Sequence, residues 1–569
     1  MYIHRLTLWT ALLVAAQLLF GCSGSDSPGG LKSEAGFIEV EPISFSLQQS
    51  GRETYHATSS VARVIYSFHP AEQTPKEKPI FVFLNGGPGC ATTTNLFSMN
   101  TAPFTLDRER TNGKPYAANT SSWTRIGNLL YLDAPNTGFS YNIVEGASQE
   151  SNRTPEFDAK NFNPFIDSAN VIRVLLRFLD AHPSLRANQV ILVGESYSGT
   201  RVSTMLNLLL FYSRYGSGEK IYKDEALAAE IGRHLAKVFS LKDTTGPFPA
   251  ETIARQFGRQ ILIQPELSGP YQSEIAGKMF EQPGSIIDQI AETTGKAYTR
   301  CADSYCDPET NAFKFVEKMA GRDRYIYTKP NTWSDELEAF AMKGLLDVDS
   351  LSVVFGTDVR TISLLRPAAR LNAYRYGRSR ELLEPGADTP ERYRIMAELE
   401  ADSRARIAAA LGTGVSGSLE DVFGILPVYD DYLSGTNFGV YLAFMINNAI
   451  LKGYAISPDT SPRYGEMFLE NLLNVKTFIT DAAWDLVIYS PALPEALKGY
   501  ADIAESVVAK RGSDTTEGSI AVSYKKGSLP GLDTPTSRTI HWPYYEKSGH
   551  SVSSTQPEKL LSDVISWLK

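Results

Sequence analysis

Apolar residues gather in short continuous runs in the first part of the chain, and each run ends in a polar or glycine-rich loop. Runs at 79–84, 128–133 and 189–194 have the length of buried strands, and a segment with helical spacing, 161–181, separates the last two. Strands that are apolar on both faces belong in a parallel sheet covered by helices on each side. We therefore predict a mostly parallel α/β core over 36–212.

The stretch 213–460 has a different pattern, in which helix-like segments such as 225–241 and 391–411 are joined by proline-containing loops. Continuous apolar runs of strand length are scarce there. We interpret 213–460 as a largely helical cap domain inserted into the sheet.

Alternating strands and helices return in the last segment, 461–569. The pattern predicts a strand at 475–480, a helix around 494–511, a strand at 520–524 and an amphipathic helix from 562 to 569. This segment is expected to complete the same core after the insertion.

The N-terminus carries an apolar run at 6–20 that is too short to span a membrane comfortably. The run ends in LFGC, which resembles the lipobox of bacterial lipoproteins; a plain signal peptide with an accidental cysteine is the alternative. The resemblance implies a signal peptide over 1–21, a lipid on Cys22 and a flexible tether over 22–35. The protein is then expected to be exported and anchored to a bacterial membrane, in the periplasm or at the cell surface.

Charge and cysteine content narrow the functional classes. The 569 residues carry a net charge of −9, so the chain lacks the basic excess with which nucleic-acid-binding proteins neutralise phosphates. Cys301 and Cys306 are close in sequence and could form a disulfide in an exported protein. The His and Cys spacings typical of zinc sites do not occur, so neither a metal nor a cofactor is predicted.

Residues 194–199 read GESYSG and continue directly from the apolar run at 189–194. A serine between small residues, where a buried strand turns sharply into a helix, is typical of the nucleophile elbow of serine hydrolases. The alternative is a surface serine in a tight turn. We predict that Ser196 is a nucleophile.

A serine hydroxyl needs a base to accept its proton and an acid to orient that base. Of the seven His, only His541 and His550 come late enough for the chain order Ser, Asp, His. His550 lies in a glycine-containing loop just before the last helix and is favoured as the base, whereas His541 is interpreted as structural. Asp481 and Asp485 both follow the strand at 475–480 and are the possible acids.

Several ordered segments together resemble the serine carboxypeptidases, over about 40–212 and 460–569. The resemblance implies the α/β-hydrolase fold, and it favours Asp485 over Asp481 as the acid. The segments are NGGPGC at 85–90, NLLYLDAP at 128–135, GFSY at 138–141, GESY at 194–197 and SGH at 548–550.

The resemblance also implies roles for the residues around the nucleophile. The backbone N–H groups of Gly87 and Tyr197 would form the oxyanion hole, which stabilises charge that develops in the transition state. Asn85, Gly86 and Glu195 would bind the terminal carboxylate of the substrate. Since two carboxylates share a hydrogen bond only when one is protonated, we expect peptide turnover to favour acidic pH.

One segment departs from the family pattern. Serine carboxypeptidases normally carry a Glu shortly before a Gly-Pro pair, and that Glu partners the other acid. Here 97–104 reads FSMNTAPF, so the acid is missing and Ala102 replaces the Gly.

Three functions follow from these residues. The first is a serine carboxypeptidase that releases C-terminal residues from peptides with a free C-terminus, through an acyl-enzyme on Ser196. The second is an esterase or acyltransferase, because the same triad serves any acyl transfer. The third is a surface-binding lipoprotein that keeps the fold without catalysis, which the complete triad disfavours.

Overall fold

The computed structural model describes the chain from residue 31 onwards, with gaps. The described residues are 31–92, 100–106, 116–135, 137, 140–143, 163–239, 246–280, 282–285, 288, 292, 299–301, 304–306, 453–456, 461–483, 485, 488–513, 516–546 and 548–569.

The strands alternate with helices along most of the described chain. In chain order they are β1 (Glu34–Val40), β2 (Ser44–Leu47), β3 (Tyr55–Thr58), β4 (Val61–His69), β5 (Ile80–Leu84), β6 (Phe104–Leu106), β7 (Tyr116–Ala118), β8 (Asn128–Leu132), β9 (Tyr141–Ile143), β10 (Val190–Glu195), β11 (Tyr222–Lys223), β12 (Arg259–Ile263), β13 (Thr299–Cys301), β14 (Ser304–Cys306), β15 (Lys476–Ile479), β16 (Asp481–Ala482), β17 (Ala504–Lys510), β18 (Ser519–Tyr524), β19 (Thr536–His541) and β20 (Tyr544–Tyr545).

The helices lie between these strands, with one short 3₁₀ turn at Trp123–Arg125. They are α1 (Pro164–Ala181), α2 (Ser198–Leu210), α3 (Tyr212–Ser217), α4 (Glu225–Phe239), α5 (Ala250–Phe257), α6 (Gly269–Phe280), α7 (Arg463–Leu472), α8 (Ala492–Lys498), α9 (Val552–Thr555) and α10 (Pro557–Leu568).

One central sheet organises the described part of the chain, with the strand order β1-β4-β8-β5-β10-β12-β15-β19-β18-β17 and β9 paired to β4. The six strands from β8 to β19 are parallel, and antiparallel strands flank them on both sides. The carboxyl ends of β5, β10, β12, β15 and β19 therefore lie at one edge of the sheet. This architecture confirms the predicted α/β-hydrolase fold, with its mostly parallel sheet flanked by helices.

The centre of the sheet is buried on both faces, as its apolar runs predicted. Every residue of β5, β8 and β10 is buried. Helix α1 begins after Asn163, whose side-chain oxygen accepts from the N–H groups of Phe165 and Ile166 and so caps the first turn. The helix predicted over 161–181 therefore starts at the first residue after this cap, Pro164, which suits the position because it has no N–H to satisfy.

The central sheet extends beyond the boundary that the sequence pattern placed at 212. Strand β12, Arg259–Ile263, lies between β10 and β15, although 213–460 was interpreted as a helical insertion. Its five residues are flanked by helices α5 and α6, so the local pattern resembles one helical region. The core thus includes β12, and a helical insertion after it stays a prediction.

A second correction concerns the helix predicted around 494–511. The structure forms α8 over Ala492–Lys498 and then the strand β17 over Ala504–Lys510, which pairs with β18. Residues 504–510 form a strand rather than a helix because β18 supplies partners for their backbone hydrogen bonds.

Several predictions fall on residues of which little is described. The signal peptide, Cys22 and the helix at 391–411 lie outside the described residues. Cys301 and Cys306 lie on the paired strands β13 and β14, opposite Ser304 and Thr299, and their disulfide stays a prediction. Within the described part of the chain, no helix combines the length and apolarity needed to cross a membrane.

Candidate active site

Ser196 lies in a strained turn between β10 and α2. Its φ of +60° is in the left-handed region that side-chain-bearing residues rarely adopt. Its N–H donates to the carbonyl of Ile263 at 3.0 Å, and its carbonyl accepts from Gly199 at 2.8 Å and Glu266 at 3.0 Å. These bonds hold the turn, which places Ser196 at the carboxyl edge of the sheet, as predicted for a nucleophile elbow.

His550 and Asp485 form a hydrogen-bonded pair at the same edge. The Nδ1 atom of His550 lies 2.9 Å from Oδ2 of Asp485, and neither side chain is accessible to solvent beyond 2%. Asp485 is also held by the N–H of Ile488, which donates to Oδ1 at 3.0 Å. A carboxylate that accepts from Nδ1 fixes the imidazole in the tautomer that leaves Nε2 as the base.

The two alternatives from the sequence have other partners. Asp481 accepts two hydrogen bonds from Arg511, at 2.7 and 3.0 Å, and one from the hydroxyl of Ser490 at 2.7 Å. His541 lies within β19, and its ring packs 5.2 Å from that of Phe478. The structure thus pairs the favoured residues, Asp485 and His550, with each other.

The glycine loop after β5 packs directly on the Ser196 turn. A Cβ atom on Gly86 would come within 2.7 Å of the Cβ of Ser196 and 2.8 Å of the backbone nitrogen of Tyr197. Gly87 follows with a φ of +104°, a conformation that favours glycine. Only a residue without a side chain allows this approach, so Gly86 lies directly against the backbone nitrogen of Tyr197, one of the two predicted oxyanion donors.

Buried polar groups on helices α1 and α2 hold this loop in place. The carbonyl of Asn85 accepts from the hydroxyl of Ser198 at 2.5 Å and from the guanidinium of Arg201. Arg201 is in turn paired with Asp167, with Nε 2.7 Å from the carboxylate, and both side chains are buried. Helices α1 and α2 therefore position the loop through one buried ion pair.

The side chain of Asn85 is directed into its own loop. Its Oδ1 accepts from the N–H of Gly86 at 2.8 Å, and its Nδ2 donates to the carbonyl of Ala91 at 3.2 Å. Asn85 is fully buried. These contacts show how Asn85 shapes the loop, and the predicted binding of substrate by Asn85 and Gly86 stays a prediction.

Glu195 is a buried acid whose protonation is coupled to the charges of His550 and Asp485. It is 2% exposed, and burial raises the pKa of its carboxyl to about 7 against the opposing charge of His550. The charge of Asp485 acts in the same direction as burial, and a hydrogen bond with Ser551 opposes it. A carboxyl with this pKa is largely neutral in mildly acidic solution and can donate a hydrogen bond.

His550 and Glu195 influence each other's protonation. Burial opposes the charged imidazole, but the charge and hydrogen bond of Asp485, with a contribution from Glu195, raise the pKa of His550 above its ordinary 6.5. Protonation of Glu195 removes one of these negative charges. The imidazole therefore becomes neutral, and able to act as a base, more readily when Glu195 carries its proton.

The segment that lacks the family's second acid is held by other groups. Asn119 donates from Nδ2 to the carbonyls of Asn100 and Ala102, both at 2.7 Å. The hydroxyl of Thr101 lies 2.7 Å from that of Tyr131 in the buried interior. Hydrogen bonds of uncharged side chains thus shape the described part of this segment, 100–106.

Two residues that contact the predicted site residues were not predicted from the sequence. Arg201 donates to the carbonyl of Asn85, and the side chain of Gln264 donates to Asp485 at 2.8 Å. The available signal for Arg201 was a single charged residue in the helix that follows Ser196. Gln264 follows β12, and recognising 259–263 as a strand from its apolar end at 261–263 would have placed Gln264 at the carboxyl edge of the sheet.

Comparison with known proteins agrees with this geometry. Residues 43–222 match the family model described as serine carboxypeptidase. The chain is similar to the serine carboxypeptidases over this segment. It is 30% identical over 270 residues to Serine carboxypeptidase-like 41 of Arabidopsis thaliana, which covers 45% of this chain and 53% of that protein. It is 33% identical over 150 residues to Serine carboxypeptidase-like 11 of the same plant, covering 25% and 31%.

The chain spans about half the length, or less, of the curated relatives that it matches. Among solved structures, it is similar to a prohormone-processing carboxypeptidase from Saccharomyces cerevisiae, at 12% identity and a TM-score of 0.44, over 96% of this chain and 93% of that one. The strand order and the strained Ser196 turn establish the fold.

Proposed function

We propose that the protein is a serine-type carboxypeptidase that removes residues from the C-terminus of peptides. The observation that carries the proposal is the Asp485–His550 pair at the same sheet edge as the strained Ser196 turn, with the buried acid Glu195 next to it. The triad serves acyl transfer, and the acid supplies the selectivity for a free C-terminus.

The triad chemistry follows from the positions of these groups. His550 takes the proton of the Ser196 hydroxyl as its oxygen attacks the last peptide carbonyl, and the N–H groups of Gly87 and Tyr197 stabilise the oxyanion. The tetrahedral intermediate collapses when His550 protonates the leaving amine, which departs as the C-terminal amino acid. Water then attacks the acyl-enzyme with His550 as base, and the shortened peptide leaves.

Glu195 gives the site its preference for a free C-terminus. A neutral Glu195 donates its proton in a hydrogen bond to the terminal carboxylate, whereas an ionised Glu195 repels it. The raised pKa of Glu195 keeps the neutral form available at mildly acidic pH without the second Glu that the family normally carries.

The test compares two substrate sets with the protein cut after Cys22. One set consists of N-blocked dipeptides with free C-termini, and the other of the same dipeptides amidated, with Ser196→Ala as the blank. We expect the C-terminal amino acid to be released only from the dipeptides with free C-termini. Ser196→Ala should release none. If neither set is cleaved by protein that still labels at Ser196 with a fluorophosphonate, the activity is that of an esterase or acyltransferase.

We further propose that Cys22 carries a lipid that anchors the exported protein to a bacterial membrane. The support is the LFGC sequence at the end of a short apolar run. Wild-type protein made in a bacterium grown with radiolabelled palmitate should be labelled and sediment with membranes. Cys22→Ser should lose both properties; label retained in Cys22→Ser would overturn the proposal.

A further inference from the structure

Gln264 lies directly beneath the catalytic acid, at the carboxyl end of β12. It is fully buried, and its φ of +45° is a left-handed conformation that its side chain disfavours. The strained backbone turns the chain so that the side chain reaches the loops after β15. Its neighbour Ile263 holds the N–H of Ser196, so consecutive residues contact the nucleophile turn and the acid.

The amide of Gln264 uses its whole hydrogen-bonding capacity. Its Oε1 accepts from the N–H of Ala482 at 2.9 Å and from the hydroxyl of Thr480 at 3.0 Å. Its Nε2 donates to Oδ2 of Asp485 at 2.8 Å and to the carbonyl of Ile488 at 3.2 Å. These partners allow one orientation of the amide, because the N–H of Ala482 can only donate and the carbonyl of Ile488 can only accept.

Gln264 therefore shares an oxygen with His550, since Oδ2 of Asp485 accepts from both. The other oxygen of Asp485 accepts from the N–H of Ile488, whose own carbonyl is held by Gln264. Gln264 therefore acts on both oxygens of the carboxylate. It donates directly to Oδ2, and it holds Ile488, which donates to Oδ1.

We infer that Gln264 is a positioning residue for the triad, which holds Asp485 in the rotation that His550 needs. The inference rests on the triad proposed above, and it adds to that triad a fourth member that acts through the acid. Loss of the Gln264 amide is expected to let the carboxylate rotate, and small misplacements of catalytic groups lower rates by up to about a hundredfold.

Gln260 provides a matched control on the same strand. It is also fully buried, and its Nε2 donates to the hydroxyl of Thr477 on β15 at 2.9 Å. Gln260→Met and Gln264→Met each replace a buried amide on β12 with an apolar side chain of similar length. Only Gln264→Met removes a bond to Asp485.

The experiment measures the rate at which a fluorophosphonate acylates Ser196, together with the melting temperature of each variant. Gln264→Met should lose about tenfold to a hundredfold in rate, whereas Gln260→Met should label close to the wild-type rate. Equal losses in the two variants, or an undiminished rate in Gln264→Met, would overturn the inference. A wild-type protein that fails to label would overturn the triad itself and this inference with it.

Gln264→Glu keeps the inference testable if Gln264→Met does not fold. Glu retains the oxygen that Ala482 and Thr480 bind, and its second oxygen faces Oδ2 of Asp485. Two carboxyl groups share a hydrogen bond only when one is protonated, so the new carboxyl replaces the amide donor while it holds its proton and loses the bond when it ionises. The labelling rate of Gln264→Glu relative to wild type should therefore fall as the pH rises. A merely structural role predicts a ratio that does not change with pH, and that outcome would refute the inference.

Discussion

Burial changes the chemistry of individual residues at the carboxyl edge of the sheet. Glu195 and Asp485 are both buried acids, but their surroundings differ. Asp485 accepts hydrogen bonds from His550, Ile488 and Gln264. Burial raises the pKa of Glu195 to about 7. Two acids in different environments can serve two functions, one accepting hydrogen bonds from its neighbours and one donating its proton.

The pH dependence should separate substrates with a free C-terminus from those without one. Because Glu195 ionises above its pKa of about 7, the ratio of kcat/KM for a free-acid peptide to that for the matching ester should fall above this pH. The fall approaches about tenfold per pH unit. The ratio cancels the titration of His550, which both substrates need.

Glu195→Gln is the matched control for this profile. An amide keeps a hydrogen-bond donor at every pH, so the ratio should lose its decline above pH 7. A wild-type ratio that stays constant from about pH 5 to 8 would remove Glu195 from substrate binding.

Asp485 and Asp481 should respond differently to replacement by Asn. Asp485→Asn should lower kcat by about 10⁴-fold, because an amide next to Nδ1 favours the wrong tautomer of His550. Asp481→Asn should leave Ser196 labelling intact and lower the melting temperature, because it weakens the bonds to Arg511 and Ser490. Loss of labelling in Asp481→Asn with labelling kept in Asp485→Asn would reverse the assignment.

Loops at the ends of parallel strands assemble the site at the next scale. The loop after β5 supplies Gly87, the turn after β10 supplies Ser196 and Tyr197, and the residue after β12 holds Asp485. Buried bonds fasten these segments to their neighbours, among them the bond from Arg201 to the carbonyl of Asn85. Such bonds would preorganise the predicted oxyanion donors.

Gly86→Ala should disable the oxyanion loop. The new methyl group would overlap the carbonyl of Glu195 and the nitrogen of Tyr197, which are backbone atoms and cannot move aside easily. We expect kcat to fall by about 10²- to 10³-fold, the loss typical of one missing oxyanion donor. Gly246→Ala, where a methyl group meets nothing within 4 Å, is the control and should keep full activity.

The whole molecule joins two distant parts of the chain around one core. Helix α7 packs on α2, and Asn207 donates to Glu470 at 2.8 Å and to Asn471 at 3.0 Å. Asn471 donates in turn to the carbonyl of Ser203 at 2.7 Å. Residues Ser33–Lys569 form a compact unit, in which these contacts join segments more than 250 residues apart in the chain.

Truncation at the N-terminus should show where this unit begins. A protein that starts at Ser33 should keep the wild-type melting temperature and labelling rate, because β1 and its pairing with β4 remain complete. A protein that starts after Val40 should melt at a lower temperature, since it loses seven paired residues and the bond between Glu34 and His182. Equal melting temperatures for the two truncations would contradict this.

The sequence alone determined the nucleophile turn, the glycine loop and the strands β5, β8 and β10. These features are local: a continuous apolar run marks a buried strand, and the small residues that follow mark a sharp turn. His550 was also predicted as the base. Chain order left two histidines, and the glycine-containing loop before the last helix favoured His550.

Only the tertiary structure decided features that depend on distant partners. Asp481 and Asp485 are four residues apart in similar surroundings, and the ion pair to Arg511 and the bond to His550 distinguish them. Strand β12 is defined by pairing with β10 and β15, which lie about 65 and 215 residues away, so its short apolar run was read as part of a helical insertion. Gln264 was missed for the same reason, since its contact with Asp485 exists only once these strands are side by side.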